Sequence, residues 1–324
     1  MMASPVTLLF HPTFLTSDRA RLAEFFERVF GVSSDRQGAL AGNPDYGADP
    51  DYAGDYSLYT WIADCWFDAI QPDLYPFAHP ALHASLDRLS EIGWIVDDIG
   101  VLYRAARAAG VRVLDQTGAI IADAAQLTAG SAVSPDVNLV WLSARDAGLT
   151  VELTYMAPAF VPSFAGPFKF WPLVEGGFPD RTGPIGPLGI LSTACHRFLT
   201  RDLDRAARLM TSVLGGRRIA AGVEPDGGGH VRFDLAGTMI DYITPGADRD
   251  LQAVLDDPPC GLTGERQQDV YHSIVFHVAD LARTRGHLAA QGIGLEQDRD
   301  DMIVTRKEDC LGMRWGFASI GGQS

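Results

Sequence analysis

Residues 14–31 of the chain read FLTSDRARLAEFFERVFG, and residues 198–215 read FLTRDLDRAARLMTSVLG. The two align without a gap at an offset of 184 residues and agree at 8 of 18 positions, among them Phe14/Phe198, Asp18/Asp202, Val29/Val213 and Gly31/Gly215. Both follow one physical plan. An apolar, extended stretch stops at an aspartate, whose carboxylate accepts backbone N–H bonds as a helix N-cap. About three turns of helix follow, with an apolar stripe made by Leu22, Phe25, Phe26 and Val29 in the first copy and Ala206, Leu209, Met210 and Val213 in the second. A glycine then takes the left-handed conformation that commonly ends a helix.

Two more segments carry the same plan: residues 92–110 (IGWIVDDIGVLYRAARAAG), anchored at Asp98, and residues 274–292 (IVFHVADLARTRGHLAAQG), anchored at Asp280. The anchors are 80 residues apart in the first pair (Asp18 to Asp98) and 78 in the second (Asp202 to Asp280), whereas the middle step is 104. The excess is a Pro/Gly-rich stretch that can continue neither a helix nor a central strand, so residues 157–189 are expected to be a linker. Short β-like runs follow each helix, at Tyr56–Ile70, Val137–Tyr155, His230–Ile243 and Met302–Ala318. Strand, helix and about three strands give a βαβββ module. The expectation is therefore an α+β protein of four βαβββ modules forming two tandem, cup-like mixed β-sheet domains, residues 1–156 and 190–324.

Composition narrows the class. Hydrophobic residues make up 47% of the 324 and charged residues 21%, as in an ordinary globular protein. No apolar run approaches the roughly 18 residues that a membrane span needs, and Val6–Phe10 reads as a first strand rather than a signal peptide. A formal net charge of −15 argues against nucleic acid, whose phosphates reward a basic face. Cys65, Cys195, Cys260 and Cys310 are too scattered for a disulfide framework and fit a reducing cytoplasm. The expected partner is a small-molecule substrate; monomer and homo-oligomer both stay open.

The modular plan resembles the glyoxalase / bleomycin-resistance / extradiol-dioxygenase (vicinal oxygen chelate) superfamily over nearly the whole chain. That resemblance implies a divalent metal inside a cup, with ligands from the first and last strands of each module. Strand alternation supplies a test, because only every second side chain faces the hollow. In the N-terminal half, His11 and Glu91 each lie seven residues before their aspartate anchor, while Asp68 and Glu152 take the carboxylate positions of the terminal strands. One imidazole with three carboxylates is a hard, oxygen-rich set that favours Fe2+ or Mn2+, with Mg2+, Ni2+ and Zn2+ as alternatives.

The C-terminal half is less regular. His196 and His272 are each one residue out of phase with His11 and Glu91, and Asp241 matches Asp68; the three form a second candidate metal set. Arg314 stands where the resemblance expects the last carboxylate, and an arginine there can hold a substrate carboxylate. His230, after a glycine-rich hairpin at Asp226–Gly229, is a candidate general acid/base. The acidic, tyrosine-rich stretch Asn43–Tyr56 reads as a loop over the first cup, either a lid or a solvated surface. The tryptophans Trp61, Trp66, Trp94 and Trp141 suit a core or an apolar pocket.

Three functions compete. One is a metal-dependent enzyme acting on a small oxygenated, aromatic or apolar substrate, by ring cleavage or by glyoxalase-type lyase or isomerase chemistry. A second is non-catalytic sequestration of a small molecule, as in the bleomycin-resistance proteins. In the third, one half is a packing scaffold for the other.

Overall fold

A computed structural model describes residues 5–37, 55–75, 78–128, 136–165, 170–173, 183–223 and 227–320. The anticipated loop at 43–54, Asp226, and linker residues 166–169 and 174–182 lie outside the described residues.

The N-terminal sheet contains β1 (Val6–Leu15), β2 (Ser34–Arg36), β3 (Ser57–Ile62), β4 (Cys65–Ile70), β5 (Arg88–Val96), β6 (Val113–Leu114), β7 (Val137–Leu142) and β8 (Thr150–Met156), with α1 (Arg19–Phe25) and α2 (Ile99–Ala108). After it comes the short α3 (Val161–Ala165). The C-terminal sheet contains β9 (Ile190–Leu199), β10 (Arg217–Val223), β11 (Gly229–Leu235), β12 (Thr238–Ile243), β13 (Val270–Val278), β14 (Leu295–Asp298), β15 (Met302–Thr305) and β16 (Trp315–Ser319), with α4 (Leu203–Arg208), α5 (Arg249–Asp256) and α6 (Leu281–Ala290). The strand orders β2-β3-β4-β1-β5-β8-β7-β6 and β10-β11-β12-β9-β13-β16-β15-β14 are the same order written twice. In each half two βαβββ modules join through an antiparallel pair of first strands, β1 with β5 and β9 with β13.

The anchor chemistry is local and repeats four times. Asp18, Asp98, Asp202 and Asp280 accept from the backbone N–H of Arg21, Val101, Arg205 and Arg283 at 2.8–3.0 Å, so each satisfies a donor the helix leaves open. The glycines that close the four helical segments, Gly31, Gly110, Gly215 and Gly292, have φ between +68° and +75°.

The helices cover one face of each sheet, and the two halves pack through these covered faces. Phe30 meets Trp315 at 4.8 Å between ring centroids, with Phe26 and Phe67 also against Trp315. The opposite face of each sheet is the inner face of the cup. Over the N-terminal one, the supposed linker does more than connect: Phe164 and Phe170 return onto Phe10 and Trp66, at 5.8 Å and 4.8 Å respectively, and α3 packs with them. The described part of this stretch forms only short helical turns, and its aromatics gain from burial. Among the described residues no helix is long and apolar enough to cross a membrane.

Candidate metal centre

Strand register decides which side chains share the N-terminal hollow. Thr13 pairs with Asp68 on β4 and with Glu91 on β5, and Glu91 pairs with Thr150 on β8, so one row crosses four strands. The next row is His11, Gly93 and Glu152. His11, Asp68, Glu91 and Glu152 therefore face one hollow from four strands, and all four are buried. Gly93 makes room for the imidazole, because a Cβ at that position would stand 3.2 Å from His11 Cε1.

Each group is held by a neighbour. Thr13 Oγ1 is 3.0 Å from His11 Nδ1, which leaves Nε2 facing Glu152 Oε1 at 3.8 Å. The Thr154 hydroxyl donates to Glu152 Oε1 at 2.7 Å. Glu91 accepts from the Trp141 indole at 3.5 Å and from the backbone N–H of Leu262, which belongs to a loop of the C-terminal half. That loop presses close, since a Cβ on Gly261 would fall 1.7 Å from Thr150 Oγ1. The C-terminal half thus contributes to the N-terminal site, through a contact with no local sequence signature.

The electrostatics are uncompensated. Among the described residues none of the three carboxylates pairs with an arginine or lysine, and Asp68 Oδ1 and Glu91 Oε2 are buried without a hydrogen-bond partner. Burial pushes Asp68 and Glu91 well above the usual carboxylate range, with repulsion from Glu152 adding to both. Burial also carries Glu152 from 4.5 up to about 7, against the Thr154 hydrogen bond that favours its charged form. It lowers His11 to about 3, so the imidazole is neutral and available as a ligand. Among the described residues, no three His, Cys, Asp or Glu side chains stand at ligand distance from one common point. The four share a face and a field without closing on an ion. Their chemistry nonetheless fits a hard divalent cation: a neutral imidazole, three carboxylates lacking cations, and two orphaned oxygens.

The C-terminal hollow differs at nearly every equivalent position. Cys195 pairs with Val275 as His11 pairs with Gly93, and Arg197 pairs with Ser273 as Thr13 pairs with Glu91. Val275 pairs with Gly316 as Gly93 pairs with Glu152. His11, Asp68, Glu91 and Glu152 thus become Cys195, Asp241, Ser273 and Gly316. This corrects the placement of Arg314: Gly316 is the counterpart of Glu152, and Arg314 lies two residues earlier, with its Nε donating to both oxygens of Glu296 at 2.8 and 2.9 Å.

The set His196, Asp241 and His272 is not brought together. His196 pairs with Ile240 and Ile274, both in the core between the halves, and its Nδ1 bonds the Tyr271 hydroxyl. It faces away from the hollow because the register shift beside it, around Ala194, comes too early to turn it inward. Asp241 is gripped by Arg232 at 2.6 and 2.8 Å. His272 sits at a register shift with Nε2 3.7 Å from Glu296. His230 is half-buried on β11, opposite Ile243 and beside Gly222, away from the N-terminal carboxylates.

No protein-family model and no curated sequence matches the chain. Solved structures do. A Mn(II)-bound glyoxalase from Novosphingobium aromaticivorans is 14% identical, covers 98% of this chain and 83% of its own, and superposes with a TM-score of 0.55. The chain shares the fold of this glyoxalase. A 4-hydroxymandelate synthase variant from Streptomyces coelicolor shares this architecture at 11% identity, TM-score 0.58 and 97% and 93% coverage of the two chains. So does the 2,3-dioxygenase LapB from Pseudomonas sp. KL28, at 12%, 0.53, and 98% and 93%.

Proposed function

We propose that the protein is a metal-dependent enzyme of the vicinal oxygen chelate type whose active site is the N-terminal cup, acting on a small oxygenated substrate with an aromatic or apolar body. One observation carries this reading. Among the described residues the N-terminal cup buries three carboxylates and a neutral imidazole with no cation beside them, while the carboxylates facing the C-terminal cup are already neutralised by arginine. Buried acids in that condition stay protonated or take a cation. His11, Asp68, Glu91 and Glu152 would hold the metal, Fe2+ or Mn2+ by donor type, and it would supply charge stabilisation for two adjacent substrate oxygens.

The chain's own residues supply the rest. Thr13 and Gly93 fix the plane of the His11 ring, and Thr154 and Trp141 fix two of the carboxylates. Trp66 stacks on Tyr59 at 4.5 Å, and with Phe10 and Phe170 it forms an apolar wall that excludes water and suits a flat substrate. The Tyr59 hydroxyl, on the strand beside Asp68, is kept protonated by burial first and by Asp68 next, so it can donate to a substrate oxygen.

The test uses purified protein loaded anaerobically with Fe2+ or Mn2+. Consumption of O2 with a catechol supports ring cleavage, and exchange of a proton beside a carbonyl in D2O supports lyase or isomerase chemistry. Either activity should vanish in His11→Ala. The aromatic wall also suits a sequestering protein. That reading replaces the first if neither reaction occurs and an aromatic ligand binds His11→Ala as tightly as the parent.

A further inference from the structure

The inner face of the C-terminal sheet carries charge of the opposite kind. Register lines up Arg232, Asp241, Arg197 and Ser273 across β11, β12, β9 and β13, and Arg314 lies one step before the Ile274–Trp315 pair. Asp241 is occupied by Arg232, and Glu296 by Arg314. Arg197 is left over. Its Nε is 3.8 Å from Asp241 Oδ2, beyond hydrogen-bond reach, and is buried without an acceptor among the described residues.

His272 is the second uncommitted donor. Its Nδ1 is 3.1 Å from Ser273 Oγ, while Nε2 is buried without a hydrogen-bond partner among the described residues. Burial, then Arg314 and Arg197, hold the ring neutral. In the tautomer whose Nδ1 accepts from the Ser273 hydroxyl, the proton is on Nε2, which lies 3.7 Å from Glu296 Oε1, beyond hydrogen-bond reach. Among the described residues of this face, three guanidinium groups and two carboxylates leave one positive charge unmatched, beside the unbonded Nε2 of His272. Around them Cys195, Val275, Met302 and Val304 form an apolar cluster. A cavity of about 470 Å3 opens alongside, and His272 and Arg314 line it.

We propose that the C-terminal cup is a second ligand site, for a small molecule that joins one carboxylate to an apolar body. Arg197 takes the carboxylate, the Nε2–H of His272 is its second donor, and the body lies against Val275 and Met302. A monoanion matches the single unmatched charge. The site shares no residue with the N-terminal cup and stands whether or not that cup holds metal.

Calorimetric titration of the whole protein with benzoate tests this, with benzamide and inorganic phosphate as controls. Benzoate should bind with 1:1 stoichiometry, at least tenfold tighter than either control. Arg197→Gln should weaken it at least tenfold. So should His272→Phe, which keeps a ring in place, while Glu152→Gln leaves it unchanged. The proposal is overturned if benzoate does not bind, if benzamide binds as well, if affinity survives both C-terminal substitutions, or if Glu152→Gln abolishes it.

Discussion

Replacing Glu152 with glutamine separates the electrical cost of the N-terminal cup from its shape. The amide keeps an oxygen where Thr154 donates at 2.7 Å and occupies nearly the same volume, but it cannot ionise. Burial raises the acid from 4.5 to about 7. A carboxyl raised on folding contributes stability that is fully present below its unfolded value and is lost as pH climbs through the folded value. For Glu152 that window runs from pH 4.5 to about 7, and the loss is about 3 kcal/mol by the linkage of pKa to free energy. Metal-stripped Glu152→Gln should therefore match the parent at pH 4.5 and exceed it by about 3 kcal/mol at pH 8. Urea unfolding of both proteins in a chelator, at the two pH values, measures the difference. Adding Mn2+ should close most of that gap at pH 8, since only the parent gains binding energy, about 2.7 kcal/mol at a hundredfold excess over Kd, and a thousandfold excess should reverse the order. A difference independent of pH, or a variant weaker than the parent at pH 8 without metal, would refute the reasoning.

Other consequences follow from particular contacts. Gly93→Val puts a branched side chain where a single Cβ already lies 3.2 Å from the His11 ring, so Mn2+ affinity should fall at least tenfold by titration while the circular dichroism spectrum is kept. Phe30→Ala removes a fully buried ring between the halves and should cost about 3–5 kcal/mol in denaturant unfolding. Asp98→Ala loses the bond to the Val101 N–H and should cost about 1 kcal/mol in the same assay, with no effect on metal binding.

The features legible in sequence are those with local causes. The Asp18, Asp98, Asp202 and Asp280 caps and the glycine stops are set within a few residues, and counting back from a cap by strand parity leads to His11 and Glu91. Parity also marks His196 as out of phase, and the structure puts it in the core between the halves. Arg314 is misplaced by sequence alignment because the fourth module has no carboxylate to align. The usable signal is a reciprocal exchange, Gly93 opposite Glu152 in one half and Val275 opposite Gly316 in the other. Two features have weaker signals. Phe160, Phe164 and Phe170 are hidden among prolines, and the approach of Gly261 and Leu262 to the N-terminal cup depends on how the halves dock.

Mn2+ binding counted by electron paramagnetic resonance, in the parent, Glu152→Gln and Asp241→Asn, bears most directly on the assignment of the metal to the N-terminal cup. One ion per chain is expected in the parent and in Asp241→Asn, and none at the same concentration in Glu152→Gln. No bound ion in the parent, or an ion lost with Asp241→Asn and retained with Glu152→Gln, would contradict it.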